Sequence, residues 1–239
     1  MCYINLINEN KPCSSPNSVA SVKCVHNLPD LVMNKTLLQE SLILKFVPLY
    51  YLQCAMEENC LASTAYAIVQ NIKDWRLKYR KLLRFSASFW NFGTADFLPY
   101  TDEPEWKWHE CHLHYHSIEN FAVYYIRDDN GNELAQGHKA SFCLEDVKCL
   151  PNIRKKYICQ GYGKQGISVG CADSYFSNID CQWVDITDLR PGNYDLVVHV
   201  NPDKRVAELN YDNNVVKCSF TYTGTKIRVG GCSFISGRT

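Results

Sequence analysis

Apolar positions along the chain fall mostly into short β-like runs bounded by turn residues. Residues 121–126 (FAVYYI) are aromatic and β-branched, and Asn130-Gly131 just behind them is the pair that tight hairpins favour. Residues 194–200 (YDLVVHV), opened by Pro191 and Gly192, and residues 215–222 (VVKCSFTY) read as further strands. One stretch, residues 65–81, carries apolar side chains at helical spacing and predicts a helix. Together these signals predict an all-β fold, a β-sandwich core with long disulfide-pinned loops and little helix. Residues 1–28 are polar and punctuated by Cys2, Pro12, Cys13, Pro16 and Cys24, so they are expected to be a tail or the remnant of an upstream module. Residues 29–239 are then one folded domain.

Composition narrows the class of protein. The 239 residues, 46% of them hydrophobic, suffice for one all-β domain with a sizeable core. Twenty-five basic and 25 acidic side chains cancel, and no run of one sign occurs, so no nucleic-acid partner is expected. Thirteen cysteines imply an oxidising compartment and a secreted, extracellular protein; the odd count leaves at least one unpaired or bonded to another chain. A structural zinc protein would show CxxC knuckles, which are absent. No apolar stretch reaches membrane-spanning length, so no membrane span is expected. The first residues lack a basic and then apolar leader, so the export signal is expected to have been trimmed or to lie on a preceding part of a longer protein. Asn34-Lys35-Thr36 is a glycosylation acceptor, in keeping with secretion.

The chemistry concentrates in residues 108–117, WHECHLHYHS. On an extended strand the alternating His112, His114 and His116 would project from one face. Three such rings span roughly 13 Å of backbone, so the strand must kink for all to reach one ion at about 2 Å. Imidazole suits copper, zinc, iron or nickel, and residue type alone does not choose. His109 and Cys111 could join, although a thiol beside a redox metal would be oxidised, and Cys111 is expected in a disulfide. A bland reading is a histidine-rich surface strand. A competing pattern, His112-x-His114-x4-Glu119, matches the first motif of cupin oxygenases, but Ile126 stands where that motif needs glycine and no second motif follows.

Residues 108–117 resemble the copper-binding segment of the lysyl oxidase family, and further stretches match it in order: 52–61 (LQCAMEENCL), 137–146 (GHKASFCLED), 178–188 (NIDCQWVDITD) and 190–194 (RPGNY). The resemblance covers roughly residues 29–235 and is nearest to the branch that carries scavenger-receptor modules upstream. It implies a secreted copper amine oxidase acting on peptidyl lysine of collagen and elastin with O2. The implied copper ligands are His112, His114 and His116. The implied cofactor is a lysine tyrosylquinone built from Lys139 and Tyr175, with Asp173, Asp180 and His138 as candidate bases. Ala172 stands where the family usually has a second aromatic.

The family's cysteine pairing, carried over, gives Cys54–Cys111, Cys60–Cys181, Cys143–Cys159, Cys149–Cys171 and Cys218–Cys232, and leaves Cys2, Cys13 and Cys24 for the upstream module. The resemblance also implies a calcium site of Asp30, the Leu31 carbonyl, Glu208, Asn210, Asn213 and Asn214, hard oxygen donors of the kind calcium prefers. Asn210 replaces the usual aspartate, which removes one charge. A reading from another class is a catalytically silent, matrix-binding domain that keeps the metal site.

Overall fold

From Val216 to Tyr222 every second side chain is buried, with Lys217, Ser219 and Thr221 turned outward between them. This period of two is what a strand with one covered face requires. The computed structural model describes residues 27–137, 141–160 and 163–235, so the expected tail with Cys2, Cys13 and Cys24, together with His138 and Lys139, lies outside the described residues.

Through the first half of the chain run β1 (Leu31–Met33), α1 (Lys35–Ser41), β2 (Ile43–Pro48), α2 (Gln53–Glu57), α3 (Ser63–Asn71), β3 (Tyr79–Arg84) and β4 (Ala87–Asn91). The short strands β5 (Lys107–His109), β6 (His114–His116) and β7 (Ile118–Glu119) follow, then the long hairpin β8 (Ala122–Arg127) and β9 (Glu133–Gly137). The remainder comprises β10 (Ser141–Phe142), β11 (Lys148–Cys149), β12 (Cys171–Tyr175), β13 (Trp183–Asp185), β14 (Gly192–Val200), β15 (Val215–Tyr222) and β16 (Ile227–Phe234).

A five-stranded antiparallel sheet in the order β16-β15-β14-β8-β9 and a four-stranded sheet in the order β1-β4-β12-β11 share the main apolar core. Phe85 meets Tyr124 edge-on at 4.9 Å, and Phe89 meets Phe121 at 5.2 Å, so the aromatics promised by residues 121–126 are core ring contacts. The predicted hairpin forms between β8 and β9, with Gly131 at φ 83 and the Asp128 carboxylate accepting from the Asn130 and Asn132 amides.

A smaller core packs α2 and α3 on a three-stranded sheet, β13-β3-β2, around Leu52, Ala65, Leu82 and Trp183. Here the buried Arg80 guanidinium donates to Asp185 at 2.8 Å and to the Thr64 hydroxyl at 2.9 Å, fastening the start of α3 to the sheet. The helix predicted over 65–81 is shorter and earlier. It ends at Asn71 because Ile72 is extended, and residues 79–81 are strand, since pairing with β2 outweighs their helical apolar spacing.

Among the described residues five disulfides, Cys54–Cys111, Cys60–Cys181, Cys143–Cys159, Cys149–Cys171 and Cys218–Cys232, join the pairs the family pattern implies. No helix among the described residues is long and apolar enough to cross a membrane.

Candidate functional site

The histidine run folds as a hairpin. β5 and β6 pair antiparallel with His109 opposite His114, Lys107 opposite His116 and Trp108 opposite Tyr115. His109, His114 and His116 therefore share one face, while Trp108 and Tyr115 pack edge-on at 5.2 Å on the other.

The expected kink falls at the turn. The His109 carbonyl accepts from the His112 and Leu113 amides, and Leu113 has φ 56, a left-handed conformation rare for a branched side chain. The turn swings His112 off the strand and over the other rings. His112 Nδ1 lies 3.1 Å from His116 Nε2. Two nitrogens bound to one ion at about 2 Å are about 2.9 Å apart at a right angle and about 3.3 Å apart in a tetrahedron, so the spacing fits a shared metal.

His109 stacks on His112 at 4.2 Å and on His116 at 4.6 Å, and donor atoms of these three residues lie within 4.8 Å of one another. The His114 ring is 5.2 Å from that of His116 and 5.6 Å from that of His112. Of the three expected ligands, His112 and His116 bring their donor atoms together with those of His109, while His114 stands beside them by its ring and is not in that donor group. Glu119, the carboxylate that a cupin arrangement would need, is instead exposed and paired with Lys107 at 2.7 Å.

Two links connect this hairpin to the strand that carries Tyr175. The Gln165 amide donates to the Tyr115 carbonyl at 2.7 Å and its oxygen accepts from the Leu144 amide, and the Ser117 amide donates to the Phe142 carbonyl. Phe142 in turn packs edge-on against Tyr175 at 5.1 Å.

Tyr175 is buried at the end of β12, its hydroxyl 2.7 Å from both the Cys143 carbonyl and Asp173 Oδ2. Burial, and then the neighbouring Asp173, hold its phenol well above the ordinary value. Burial also pushes the Asp173 carboxyl up to about 8. Of the other candidate bases, Asp180 acts on the Arg84 guanidinium, and His138 lies outside the described residues, as does Lys139. Ala172 is fully buried opposite Trp90 of the adjoining strand, so an aromatic lines this position from across the sheet.

A second polar centre joins the amino-terminal end of the described chain to residues 201–214. Glu208, buried, accepts from the Leu31 amide at 2.6 Å and from the Asn201 and Asn214 amides at 2.7 and 2.8 Å, and burial pushes it up to about 7. Asn213 donates to Asp30 at 2.9 Å. The buried Oδ1 atoms of Asn213 and Asn214 have no hydrogen-bond partner among the described residues, an unsatisfied pair of hard oxygens. Asn210 departs from the expected cluster: its side chain is spent on the Asp212 amide, and the residue is exposed. Sequence reasoning missed Asn201, which lies seven positions before Glu208 with nothing in its surroundings to mark it.

A model of the lysyl oxidase family matches residues 29–232, which include the histidine hairpin, Tyr175 and the ten bridged cysteines. The chain belongs to the lysyl oxidase family. It is 48% identical over 214 residues to lysyl oxidase homolog 4 of Homo sapiens, covering 90% of this chain and 28% of that protein. It is also 47% identical over 231 residues to lysyl oxidase homolog 2 of Xenopus laevis, covering 97% of this chain and 30% of that one. Human lysyl oxidase homolog 3 is 48% identical over 213 residues. The chain therefore spans under a third of the length of the lysyl oxidase homologs it matches.

Proposed function

We propose that this chain is the catalytic domain of a secreted amine oxidase that acts on lysyl side chains of collagen and elastin and so cross-links extracellular matrix. In the overall reaction a primary amine, O2 and water give an aldehyde, ammonia and hydrogen peroxide. The observation that carries this reading is the approach of His112 Nδ1 and His116 Nε2 to 3.1 Å, ringed by further imidazoles, in a lysyl oxidase family member.

Copper would be held by His112, His114 and His116, with His109 as an additional imidazole. When bound, copper supplies phenol oxidation by O2, and the quinone of Lys139 and Tyr175 supplies the electron sink for the amine. The chain's own contribution is to bury the Tyr175 phenol, to hold it by hydrogen bonds to Cys143 and Asp173, and to exclude water with Phe89, Phe121 and Phe142. Asp173 touches the phenol and, of the two flanking aspartates, is the one placed to exchange a proton with it. The substrate lysine reacts as a neutral amine, so it must lose its proton on entry.

Calcium fits the second centre, held by Asp30, the Leu31 carbonyl, Glu208, Asn213 and Asn214. Its two unsatisfied amide oxygens support this. Asn34 is exposed at the start of α1, where its Oδ1 accepts from the Leu37 amide, and its amide nitrogen is the glycan attachment point.

Mass spectrometry of a tryptic digest of copper-loaded protein tests the proposal. Peptides carrying Lys139 and Tyr175 should be covalently joined, and phenylhydrazine should give a coloured adduct. Two separate unmodified peptides would instead favour the silent matrix-binding domain. Zinc-loaded protein is the control, since zinc has no redox chemistry.

A further inference from the structure

Glu58 lies some 50 positions before the histidine run, yet its carboxylate reaches it. Oε1 is 3.3 Å from His112 Nε2 and 3.5 Å from His109 Nε2, and the Glu58 side chain is 7% exposed. An ionised carboxylate so far from water is costly unless donors surround it. Both stacked imidazoles turn Nε2 toward that single oxygen, at ion-pair distance rather than in hydrogen-bond geometry.

The position of Glu58 follows from α2. The residue caps the carboxyl end of that helix, its amide donating to the Cys54 carbonyl. Cys54 is bridged to Cys111, the residue directly before His112. One disulfide therefore joins the element that carries the carboxylate to the turn that carries the histidine.

The two nitrogens of His112 face different partners. Nε2 faces Glu58, while Nδ1 faces His116 Nε2. A neutral imidazole has one N–H and one lone pair, and the partner of the first fixes the direction of the second. We propose that Glu58 is a positioning residue of the histidine centre. Its Oε1 faces Nε2 of both His112 and His109, and its negative charge favours the tautomers that carry the proton there, so that Nδ1 of His112 is presented to the metal alongside His116. The proposal rests on reading the hairpin as a metal site, and it adds a carboxylate that orients ligands and offsets positive charge without binding the ion. Metal-bound histidines commonly have such a partner, and losing it typically weakens metal affinity about 10- to 100-fold.

The test uses the full chain with Glu58→Gln, Glu58→Asp and His116→Ala variants. Copper affinity is read by chelator competition and the Cu(II) environment by electron paramagnetic resonance. Glu58→Gln should bind one copper with affinity lower by about 10- to 100-fold and with shifted hyperfine splitting but an unchanged nitrogen count. Glu58→Asp keeps the charge but withdraws it by one methylene, and should fall between Gln and the parent. It decides the matter if the Gln variant fails to fold. Parent-like affinity and spectra in both Glu58 variants would overturn the proposal. So would loss of an oxygen ligand from the spectrum, which would make Glu58 a direct ligand. If His116→Ala bound copper as tightly as the parent, the metal-site reading itself would fail, whatever the Glu58 variants did.

Discussion

The Tyr175 hydroxyl and Asp173 Oδ2 stand 2.7 Å apart on the same face of β12, two positions apart along the strand, and the Cys143 carbonyl is equally close to the phenol. A phenol has one hydrogen, yet it faces two acceptors. The arrangement is satisfied when Asp173 carries a proton and donates to the phenol oxygen, which then donates to Cys143. A carboxyl lifted to about 8 by burial is in that state at neutral pH.

This proton gives the metal-free protein a characteristic pH dependence. Folded Asp173 holds its proton up to about pH 8, whereas an ordinary carboxyl releases it near 3.8. Between those values the folded chain binds the extra proton, so the contribution of Asp173 to stability is full below about pH 4 and is lost as pH rises toward 8. Glu145, Tyr124 and Tyr175 face the same carboxyl, and Glu145 adds to the upward shift. In Asp173→Asn, thermal unfolding followed from pH 5 to about 9 should show a shallower fall in Tm than the parent. Equal slopes would refute this protonation state.

Replacing Tyr175 by Phe should abolish the phenylhydrazine adduct and amine oxidation while the fold persists. The lost hydroxyl leaves Cys143 and Asp173 short of a partner, so stability should drop by about 1–3 kcal/mol in chemical denaturation. Retained aldehyde formation would show that another residue supplies the quinone.

Metal identity should separate structure from chemistry. Zinc at the histidine hairpin should raise Tm much as copper does, because the same imidazoles hold it, but should leave Tyr175 unmodified. His112→Ala should remove the stabilisation by both ions. His109→Ala should weaken it, given that ring's stacking on His112 and His116.

Calcium should stabilise the protein independently of copper. Titration followed by Tm should show a rise that Glu208→Gln abolishes, since Gln removes the centre's buried charge. An equal rise in the variant would assign the calcium effect elsewhere.

Strand content was legible where composition and packing agree. Residues 121–126, 194–200 and 215–222 are apolar and β-branched, and they form the inner strands of the five-stranded sheet. The 65–81 stretch misled because its apolar spacing serves two elements, α3 and then β3, with an extended break at Ile72. The histidines were legible as a cluster because they adjoin in sequence. Glu58 and Asn201 were not, since only long-range folding brings Glu58 to the hairpin, and Asn201 stands out only once its amide is seen on buried Glu208. Asp173 could be named beside Asp180, but separating them needs the hydrogen bond to Tyr175.

Gly137 closes β9 directly against β13, where an added Cβ would sit 2.4 Å from the Trp183 carbonyl oxygen. Backbone rests on backbone there, and no side-chain rotation could relieve an intruding methyl. The fold thus clamps its polypeptide two residues ahead of the expected cofactor lysine. At that seam the gap is the size of a hydrogen atom, and any larger residue would have to prise the two sheets apart.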